Sequence, residues 1–399
     1  MPHFGECDSS EKFNLEYLPV HVLYVIFRYL DIPSLLSLSA VCKQLNNIIK
    51  DDYLNFTSCS LLVTNQHSNE IKEKSLQILP GIHKYRNYFH WLRKDYVEFV
   101  FLKSVERFRP WLQLRNKDLF VSQGPKILHF KRNKNGINPK PYVIFNGHLD
   151  DVVRFVVKDN LMISGGNDGK ICCWEIQKGE SLFSITTPIR FNDNLYTDFK
   201  QSTVAAGSSI MGEVALYMVK DNGFTFQSRT NFHERIWSIA LSEDAALCAI
   251  GCGGYKPSPL KILDVNRALC IDTAEDFKIG AGIFDIVWET PHILLTGGHD
   301  TVLRMWDTRT GRSVLSWSDP YDAAIYTLAT DYNCTIMTGS ALHSRITLWD
   351  KRHSTKIRAY FISKGKFGAG PVYSFDFDPS FMFVALDTSL HILDFSKRS

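Results

Sequence analysis

A unit that recurs about every 40–45 residues from residue 111 onward constrains the fold of this chain more than any other feature of its sequence. Each copy contains a strand-like run that ends in small residues, and these runs begin at Leu119, Leu161, Thr203, Leu247, Leu294, Ile336 and Met382. A second alternating run follows each of them, at 127–130, 171–174, 214–217, 260–263, 303–306, 346–349 and 390–393. Units of this length with four strands each are typical of propeller blades, so we predict an all-β seven-bladed ring over residues 111–395.

Two of the copies share one pattern of polar and aromatic residues at offsets of four and ten: Ser164, Asp168 and Trp174, and Thr296, Asp300 and Trp306. In the first of these copies His148 precedes the innermost strand, so His148, Ser164, Asp168 and Trp174 are able to form a buried hydrogen-bond chain. The pattern resembles the structural tetrad of WD-repeat proteins, which implies that these four residues fix the blade and carry out no chemistry.

Residues 13–56 predict a compact helical unit. Apolar residues recur at three- and four-residue spacing from Val22 to Leu30, and Asp31-Ile32-Pro33-Ser34 interrupts them before a second helix. More apolar positions are present than three short helices use internally, so some of them should face a partner. The order of residues resembles an F-box, the module that docks on the Skp-type adaptor of cullin ubiquitin ligases.

The F-box resemblance implies that the adaptor-facing and core positions are Leu18, Pro19, Val22, Ile26, Phe27, Leu30, Leu35, Leu38, Val41 and Cys42. The sequence does not divide them between the two roles. The family usually has tryptophan at the position of Leu45 and often Leu-Trp at Tyr53-Leu54, and we expect these departures to weaken adaptor affinity more than they affect the fold. The alternative is a generic helical hairpin that packs on the rest of the chain.

Residues 57–110 predict a helical linker. The stretch 84–96 interleaves aromatic and basic residues and fits an amphipathic helix that braces the two domains, although a stretch of this kind is also able to bind RNA. The last repeat, Val372 to Phe395, supplies only three strands, so we expect its fourth strand from the N-terminal side, near residues 97–108. Such a strand would close the ring.

The innermost strands predict a binding surface at one end of the ring. The second residue of each innermost strand should point towards the channel mouth, and five of six such residues are aromatic: Tyr196, Trp237, Phe284, Tyr326 and Tyr373. We predict that they line a substrate-recognition funnel, because aromatic side chains bury large areas at low entropic cost. The residues expected to flank this funnel are Arg235, Tyr255, Lys256 and His299. The alternative is that the aromatic residues only plug the channel.

Few arginines stand at the predicted funnel. Phosphate is usually held by bidentate guanidinium contacts, so we expect a degron without dense phosphorylation.

Composition narrows the cellular setting. The chain has 399 residues and a formal net charge of +3, which gives no electrostatic argument for nucleic acid or an anionic membrane as a partner. Nine scattered cysteines without a C-x-x-C pair favour a reducing compartment and no metal site. The N-terminal residues lack the apolar run of a secretory signal, so we expect a cytoplasmic or nuclear protein.

The sequence contains no recognisable catalytic pattern, and we predict a non-catalytic protein without a cofactor. The glycine run from Gly365 to Gly370 precedes a strand instead of opening a helix, which argues against a phosphate-binding loop. Taken over nearly the whole chain, the pattern is similar to the F-box/WD-repeat family. That resemblance implies a substrate-recognition subunit that joins protein substrates or degron peptides to Skp, cullin and RING subunits. The alternative is a ligase-independent WD-repeat scaffold with RNA as a partner.

Overall fold

Seven small antiparallel sheets form the larger part of the chain, and short helices precede them. The structure is a computed structural model that describes residues 15–133, 136–187, 193–220, 223–272, 277–362 and 370–397. An inner strand of each sheet lies against an inner strand of the next, so the sheets are the blades of a closed propeller. The predicted fold class, α+β with an N-terminal helical unit and an all-β seven-bladed propeller, is confirmed.

The helices of the N-terminal unit are α1 (Val20–Phe27), α2 (Ile32–Ser39), α3 (Lys43–Asn47) and α4 (Leu54–Thr57), with 3-10 turns at Leu15–Tyr17 and Ser58–Ser60 and a π-helical turn at Ile48–Tyr53. Side chains fix where two of them begin. The Asp31 carboxylate accepts a hydrogen bond from the Ser34 N–H at 3.0 Å, and Pro33 occupies the first turn of α2. The Cys42 thiol plays the same part for α3, because it accepts from the Leu45 N–H at 3.4 Å.

The helical unit has its own small core. Leu23, Phe27 and Leu54 are fully buried in it, and Leu45 and Tyr53 are 2% and 6% exposed. The expectation that Leu45 and Tyr53-Leu54 act mainly on adaptor affinity is therefore wrong. These side chains face the inside of the unit, so they have almost no surface to offer a partner and their departures from the family pattern act on packing.

The linker contains α5 (Asn69–Lys74), α6 (Gly81–Arg93) and the strand β1 (Val97–Lys103). Helix α6 lies between the two domains. Ile82 and Tyr85 pack against the core of the helical unit, and Trp91 stacks on Phe395 of the propeller with ring centroids 3.6 Å apart. Lys84 and Trp91 are buried between the domains and are not available to RNA, whereas Arg86, Arg93 and Lys94 are exposed.

Blade 1 contains β2 (Leu112–Arg115), β3 (Asp118–Gln123), β4 (Lys126–Asn133), β5 (Gly136–Ile137) and β6 (Val143–Asn146). Blade 2 contains β7 (Val152–Lys158), β8 (Leu161–Gly166), β9 (Lys170–Glu175) and β10 (Glu180–Thr186). Blade 3 contains β11 (Leu195–Lys200), β12 (Thr203–Ser208), β13 (Glu213–Lys220) and β14 (Gly223–Asn231). Blades 4 and 5 contain β15 (Ile236–Leu241), β16 (Leu247–Cys252), β17 (Leu260–Asp264) and β18 (Leu269–Asp272), then β19 (Ile283–Trp288), β20 (Ile293–Gly298), β21 (Val302–Asp307) and β22 (Arg312–Ser318). Blades 6 and 7 contain β23 (Ile325–Thr330), β24 (Thr335–Ser340), β25 (Arg345–Asp350) and β26 (Lys356–Phe361), then β27 (Ser374–Phe377), β28 (Phe381–Ala385) and β29 (Ser389–Asp394).

Strand β1 is the outermost strand of blade 7. It pairs antiparallel with β29, from Val97 opposite Asp394 to Lys103 opposite Ser389, and the sheet order is β1-β29-β28-β27. The linker thus supplies one strand of the last blade, in the stretch where the sequence places a closing strand. The first and last parts of the propeller are joined by backbone hydrogen bonds, which leave no unpaired edge between them.

Carboxylates on the innermost strands tie neighbouring blades together. Asp198 accepts from the Leu241 N–H at 2.6 Å, Asp285 from the Leu328 N–H at 2.8 Å, and Asp376 from the Leu114 N–H at 3.1 Å. Each bond crosses from one blade to the next. These carboxylates satisfy backbone donors that a strand at the channel wall would otherwise leave unpaired.

Candidate functional site

The two faces of the propeller differ in how much of each is covered. We call the face at which the innermost strands begin the top face, and the face at which they end the bottom face. On the bottom face, Asn65 donates to Asp331 at 2.5 Å, Lys74 pairs with Asp376 at 2.7 Å, and the Trp91 indole donates to the Pro379 carbonyl at 3.2 Å. The linker therefore covers the bottom face around blades 6, 7 and 1.

The top face carries exposed apolar side chains on connections around the ring. They are Val105, Leu149, Ile210, Tyr255, Ile279, Tyr321 and Leu342. In the described part of the bottom face, the connections between strands expose only one large apolar side chain, Tyr142 between β5 and β6. A concentration of exposed apolar groups on one face is typical of a surface that binds another protein.

Four of the predicted funnel residues form a continuous arc at the channel mouth. Trp237 stacks on Phe284 with ring centroids 4.7 Å apart and an interplanar angle of 6°, Phe284 lies 4.8 Å from Tyr326, and Tyr326 lies 6.1 Å from Tyr373. All four rings are half-buried. We call these four residues the aromatic arc. It spans blades 4 to 7 and leaves ring surface available to a ligand.

A β-bulge positions three residues of the aromatic arc. The strand pairing skips Trp237, Phe284 and Tyr326, each of which is the second residue of its innermost strand. A bulge bends the strand and changes the direction of one side chain. In blade 3 the pairing is regular at Tyr196, which lies opposite Gly207 and packs against the apolar core beneath blades 3 and 4. Among the described residues, Tyr196 makes no ring contact with the arc.

The predicted flanking residues lie at the edge of the arc in blades 4 and 5. Arg235, Tyr255, Lys256 and His299 are all exposed. The His299 ring is 6.2 Å from that of Phe284. Lys256 is held by its own loop, since its ammonium donates to the Phe232 carbonyl at 2.9 Å.

An ion pair spans the channel below its mouth. Arg154 of blade 2 reaches across it to Asp285 of blade 5 at 3.4 Å, and its guanidinium lies 4.2 Å from the Trp111 ring. This ion pair lies below the aromatic arc. Beneath it a cavity of about 460 Å³ extends towards the linker helix α5, with Glu70 and Lys74 in its wall.

The sequence interpretation missed Arg154, Asp285 and Arg109. Arg154 and Asp285 are the third residues of their innermost strands, directly after the positions considered for the funnel. Arg109 lies in the connection between β1 and β2 on the top face and is exposed. The expectation of almost no arginine at the ring is therefore wrong. Among the residues that the structure describes, Arg109 and Arg235 carry a guanidinium without an ion pair at this face, whereas Arg154 is held by Asp285.

The predicted tetrad is assembled in blade 2. His148 lies 3.0 Å from Asp168 through Nδ1 and 2.7 Å from the Ser164 hydroxyl through Nε2, and the Trp174 indole donates to the same hydroxyl at 2.8 Å. All four side chains are buried. In blade 5 only part of the chain forms: the Trp306 indole donates to Thr296 at 2.8 Å.

The structure separates the F-box positions into core and surface. Phe27 and Leu35 are 0% and 2% exposed, so they are core residues and not direct adaptor contacts. Leu18, Val22, Ile26, Leu30, Leu38 and Cys42 are half-buried, and Pro19 and Val41 are exposed. Further exposed apolar residues, which the sequence interpretation did not single out, are Tyr17, Val20, Val25 and Tyr29.

Other features of the described residues offer no second site. They contain no group of three or more His, Cys, Asp or Glu that could hold a metal ion. Their helices are too short or too polar to cross a membrane. Most of the glycine run from Gly365 to Gly370 lies outside the described residues.

Comparisons with known proteins agree with this architecture. A family model described as F-box-like matches residues 15–59, and a model described as WD domain, G-beta repeat matches residues 139–175. The chain belongs to the F-box/WD-repeat family.

Within this family, F-box/WD repeat-containing protein 4 of Mus musculus is 30% identical over 95% of this chain and 93% of its own length. The Homo sapiens protein of the same name is 30% identical over 95% of this chain and 92% of its own length. This relative is also called dactylin, and the segments at 110–114, 119–123, 235–240, 280–286 and 390–395 already resemble it. A protein of Arthroderma otae named probable E3 ubiquitin ligase complex SCF subunit sconB is 26% identical over 41% of this chain and 23% of its own length.

Proposed function

We propose that this protein is a substrate-recognition subunit of an SCF-type ubiquitin ligase, with its F-box on the Skp-type adaptor and its top face on the substrate. The observation that carries the proposal is the separation of two apolar surfaces. One consists of exposed side chains of the F-box, and the other is the top face with its aromatic arc. The name of the fungal relative supports the same role.

The F-box surface supports an adaptor as the first partner. Tyr17, Tyr29 and Val41 are 85%, 86% and 68% exposed, which is unusual for apolar side chains in a unit of this size. Burial of such side chains against another protein is favourable by about 1.5–3 kcal/mol for each large residue that becomes fully buried. The cullin and RING subunits then join the complex by way of the adaptor and need not contact this chain directly.

The top face supports a protein substrate as the second partner. The exposed apolar side chains of its connections surround the aromatic arc, whereas the linker covers much of the bottom face. The role requires no chemistry from this chain, which holds the substrate while other subunits transfer ubiquitin. We accordingly propose a non-catalytic receptor without a cofactor.

We also propose a reducing compartment, the cytoplasm or the nucleus, as its location. Cys172 and Cys252 are buried thiols in blade cores, and burial raises the pKa of each to about 12. A fluorescent fusion imaged in living cells tests this, and accumulation in the secretory pathway would contradict it.

Affinity purification of the full chain tests the proposed function. Val25→Glu, Tyr29→Asp and Val41→Glu place charge on the F-box surface, and we expect each to abolish recovery of adaptor and cullin while the melting temperature stays unchanged. Phe226→Glu is the matched control, because Phe226 is an exposed aromatic residue on the outermost strand of blade 3. It should recover adaptor and cullin at the wild-type level.

Two results would contradict the proposal. One is recovery of adaptor and cullin that is equal for the wild-type chain and all three F-box variants. The other is recovery of neither subunit by the correctly folded wild-type chain. Substitution of Phe27 is not informative here, because Phe27 is a core residue and its loss would unfold the helical unit.

A further inference from the structure

We infer that the lower half of the propeller channel binds a small monocarboxylate with a flat apolar body, and that the guanidinium of Arg154 holds its carboxylate group. The site is the cavity of about 460 Å³ that lies between the Arg154–Asp285 ion pair and helix α5. This inference goes beyond the proposed function, because the ligand is a small molecule and the site uses neither the top face nor the F-box surface.

The cavity has the size and the position of a ligand site. Its volume of about 460 Å³ lies within the range of about 300–1,000 Å³ that is usual for small-molecule sites. All seven innermost strands contribute to its wall, and Glu70 and Lys74 of α5 complete the wall towards the bottom face. A molecule in this space is therefore surrounded by strands that their neighbours hold in place.

Arg154 has hydrogen-bond donors that the described part of the protein does not use. Its guanidinium forms one ion pair, from Nη1 to Asp285 at 3.4 Å, and its Nε is buried without a hydrogen-bond partner among the described residues. Arg132 shows how a buried arginine is satisfied elsewhere in the same molecule. Its Nη1 donates to Asp378 at 2.6 Å, and its other two nitrogens donate to backbone carbonyls. The buried charge of Arg154 is thus only partly compensated.

Asp285 does not satisfy Arg154, because the backbone occupies its oxygens. The Leu328 N–H donates to Oδ2 at 2.8 Å, and the Ile286 N–H donates to Oδ1 at 3.0 Å. The inner-strand carboxylates of blades 3 and 7 make the same two kinds of bond. Burial raises the pKa of the Asp285 carboxyl, and the Arg154 guanidinium opposes this rise. The main part of Asp285 is to join blades, so the remaining donors of Arg154 are available to a ligand.

A tryptophan ring holds the guanidinium in one place. The guanidinium carbon of Arg154 lies 4.2 Å from the centroid of the Trp111 ring. The Trp111 indole N–H donates to the Phe155 carbonyl at 3.0 Å, and its backbone N–H donates to the Ser122 hydroxyl at 2.8 Å. Both ends of the tryptophan are therefore fixed. A planar guanidinium that stacks on a fixed ring keeps its edge for a bidentate contact with a carboxylate.

The other charged groups of the wall limit the ligand to one negative charge. The wall contains two further cations, and both are paired, Lys74 with Asp376 at 2.7 Å and Lys200 with Glu243. Glu70 adds a carboxylate that makes no ion pair within the described residues. A ligand with several negative charges would meet these carboxylates and, in the described wall, only one available guanidinium.

Aromatic and aliphatic side chains form much of the remaining wall. Trp111 and Trp288 are half-buried, and the Trp288 indole donates to the Ala240 carbonyl at 2.9 Å. Both indole N–H groups are thus satisfied by backbone, and the rings offer apolar surface to the cavity. Leu241 and Leu328 add aliphatic groups. Flat apolar molecules gain dispersion and offset stacking against such rings.

Binding of small molecules to the full chain tests the inference. The probes are cinnamate, its uncharged analogue cinnamamide, acetate as a carboxylate without an apolar body, and citrate as a trianion. Ligand-observed NMR and calorimetry measure the affinities. We expect cinnamate to bind most tightly and cinnamamide to bind at least about 10-fold more weakly, because the amide loses a hydrogen bond to a charged group. Acetate and citrate should also bind more weakly than cinnamate.

Variants then assign the two parts of the site. Arg154→Gln removes the charge and should weaken cinnamate at least about 10-fold while it leaves cinnamamide unaffected. Trp288→Ala should weaken cinnamate and cinnamamide by the same factor, because both lose the same apolar contact. Arg312→Gln removes an exposed arginine from the outermost strand of blade 5 and is the matched control. It should bind all four probes like the wild-type chain.

Four results overturn the inference. They are no binding of cinnamate by the folded wild-type chain, equal affinities for cinnamate and cinnamamide, tighter binding of citrate than of cinnamate, and unchanged cinnamate affinity in Arg154→Gln. If Arg154→Gln melts below the wild-type chain, the comparison of acid and amide on the wild-type chain decides alone. Recovery of adaptor and cullin is a separate measurement, so failure of the proposed function and failure of this inference are distinguishable.

Discussion

Arg345 and Asp319 form a fully buried ion pair in blade 6, joined through Nη2 of the guanidinium. The Arg345 guanidinium also lies 4.1 Å from the ring centroid of Tyr321. A buried charge is tolerated only with its partner, because its loss of hydration is large. Asp319 therefore stabilises the fold less by attraction than by preventing an uncompensated charge.

We expect Asp319→Ala to lower the free energy of unfolding by about 3–5 kcal/mol, the usual effect of removing one partner of a buried pair. Chemical denaturation with tryptophan fluorescence measures this. Arg309→Ala, which removes an exposed guanidinium from its pair with the mostly buried Asp307, is the control and should cost less than about 1 kcal/mol. A change of the same size in both variants would contradict the argument from burial.

The tetrad in blade 2 makes a pH-dependent contribution. Burial alone would raise the pKa of the Asp168 carboxyl, but hydrogen bonds from His148 and the Leu149 N–H hold that pKa below its usual value. A carboxyl with a lowered pKa in the folded state stabilises the fold above its unfolded pKa of about 3.9 and loses this effect as pH falls through the folded pKa.

Asp168→Asn should therefore cost about 1.5–3 kcal/mol at neutral pH, the range of hydrogen bonds to a charged group. The difference from the wild-type chain should shrink steadily below pH ~4. Denaturation curves at several pH values check both parts. A constant difference across the range would mean that the ionisation of Asp168 makes no contribution.

The helices of the F-box depend on interior packing at a position where the family usually has a larger residue. Leu45 is 2% exposed and belongs to the same core as Phe27 and Ile49. The π-helical turn at Ile48–Tyr53 follows directly after α3. Cores of this kind accept extra volume only through strained rotamers or backbone shifts.

We expect Leu45→Trp to destabilise the F-box by about 1–3 kcal/mol through overpacking. Leu45→Met, which conserves volume, should cost less than about 1.5 kcal/mol. Hydrogen exchange of residues 20–57 in the full chain reads out this unit separately from the propeller. Unchanged protection in Leu45→Trp would show that the core has room for an indole.

Helix α6 connects the F-box to the propeller chiefly through Trp91. Its ring is fully buried, stacks on Phe395 and lies 5.8 Å from the ring of Tyr360. Trp91→Ala should cost about 3–5 kcal/mol, as for other fully buried aromatic residues. Thermal melting measures the loss, with Phe89→Ala on the half-buried side of the helix as the milder control. Equal melting temperatures for the two variants would contradict this role.

At the scale of the whole molecule, the linker and propeller cannot be separated at the start of the first blade. Strand β1 completes blade 7, and residues 62–66 are buried against the bottom face. The F-box touches the propeller mainly through α6. We therefore expect a fragment that begins at the linker to fold, and a fragment that begins after the linker not to fold.

We expect a variant that lacks residues 1–60 to remain a folded monomer and one that lacks residues 1–104 to aggregate, because only the second exposes the β29 edge of the ring. Size-exclusion chromatography and circular dichroism check this. A monodisperse, cooperatively melting propeller without residues 1–104 would contradict the role of β1.

The sequence by itself determined the order of the elements and the class of fold. The repeat spacing, the alternation within strands and the Asp31-Ile32-Pro33-Ser34 helix start are local signals, and local hydrogen bonding and the period of side-chain burial suffice to read them. The tetrad could be predicted from the sequence as well, because the length of the strands fixes the spacing of Ser164, Asp168 and Trp174. The positions of Trp237, Phe284 and Tyr326 could also be predicted from the sequence, because each is the second residue of an innermost strand.

Only the tertiary structure decided how these residues are used. Arg154 and Asp285 are 131 residues apart in sequence, and their pairing across the channel depends on the closure of the ring. Bulges direct three aromatic residues to the aromatic arc, whereas the regular pairing at Tyr196 keeps that residue outside the arc. The packing of α6 buries Lys84 and Trp91. Leu45 and Val41 are both apolar F-box positions, yet one is core and the other exposed. Such differences arise from contacts between distant segments, which no local period of a sequence records.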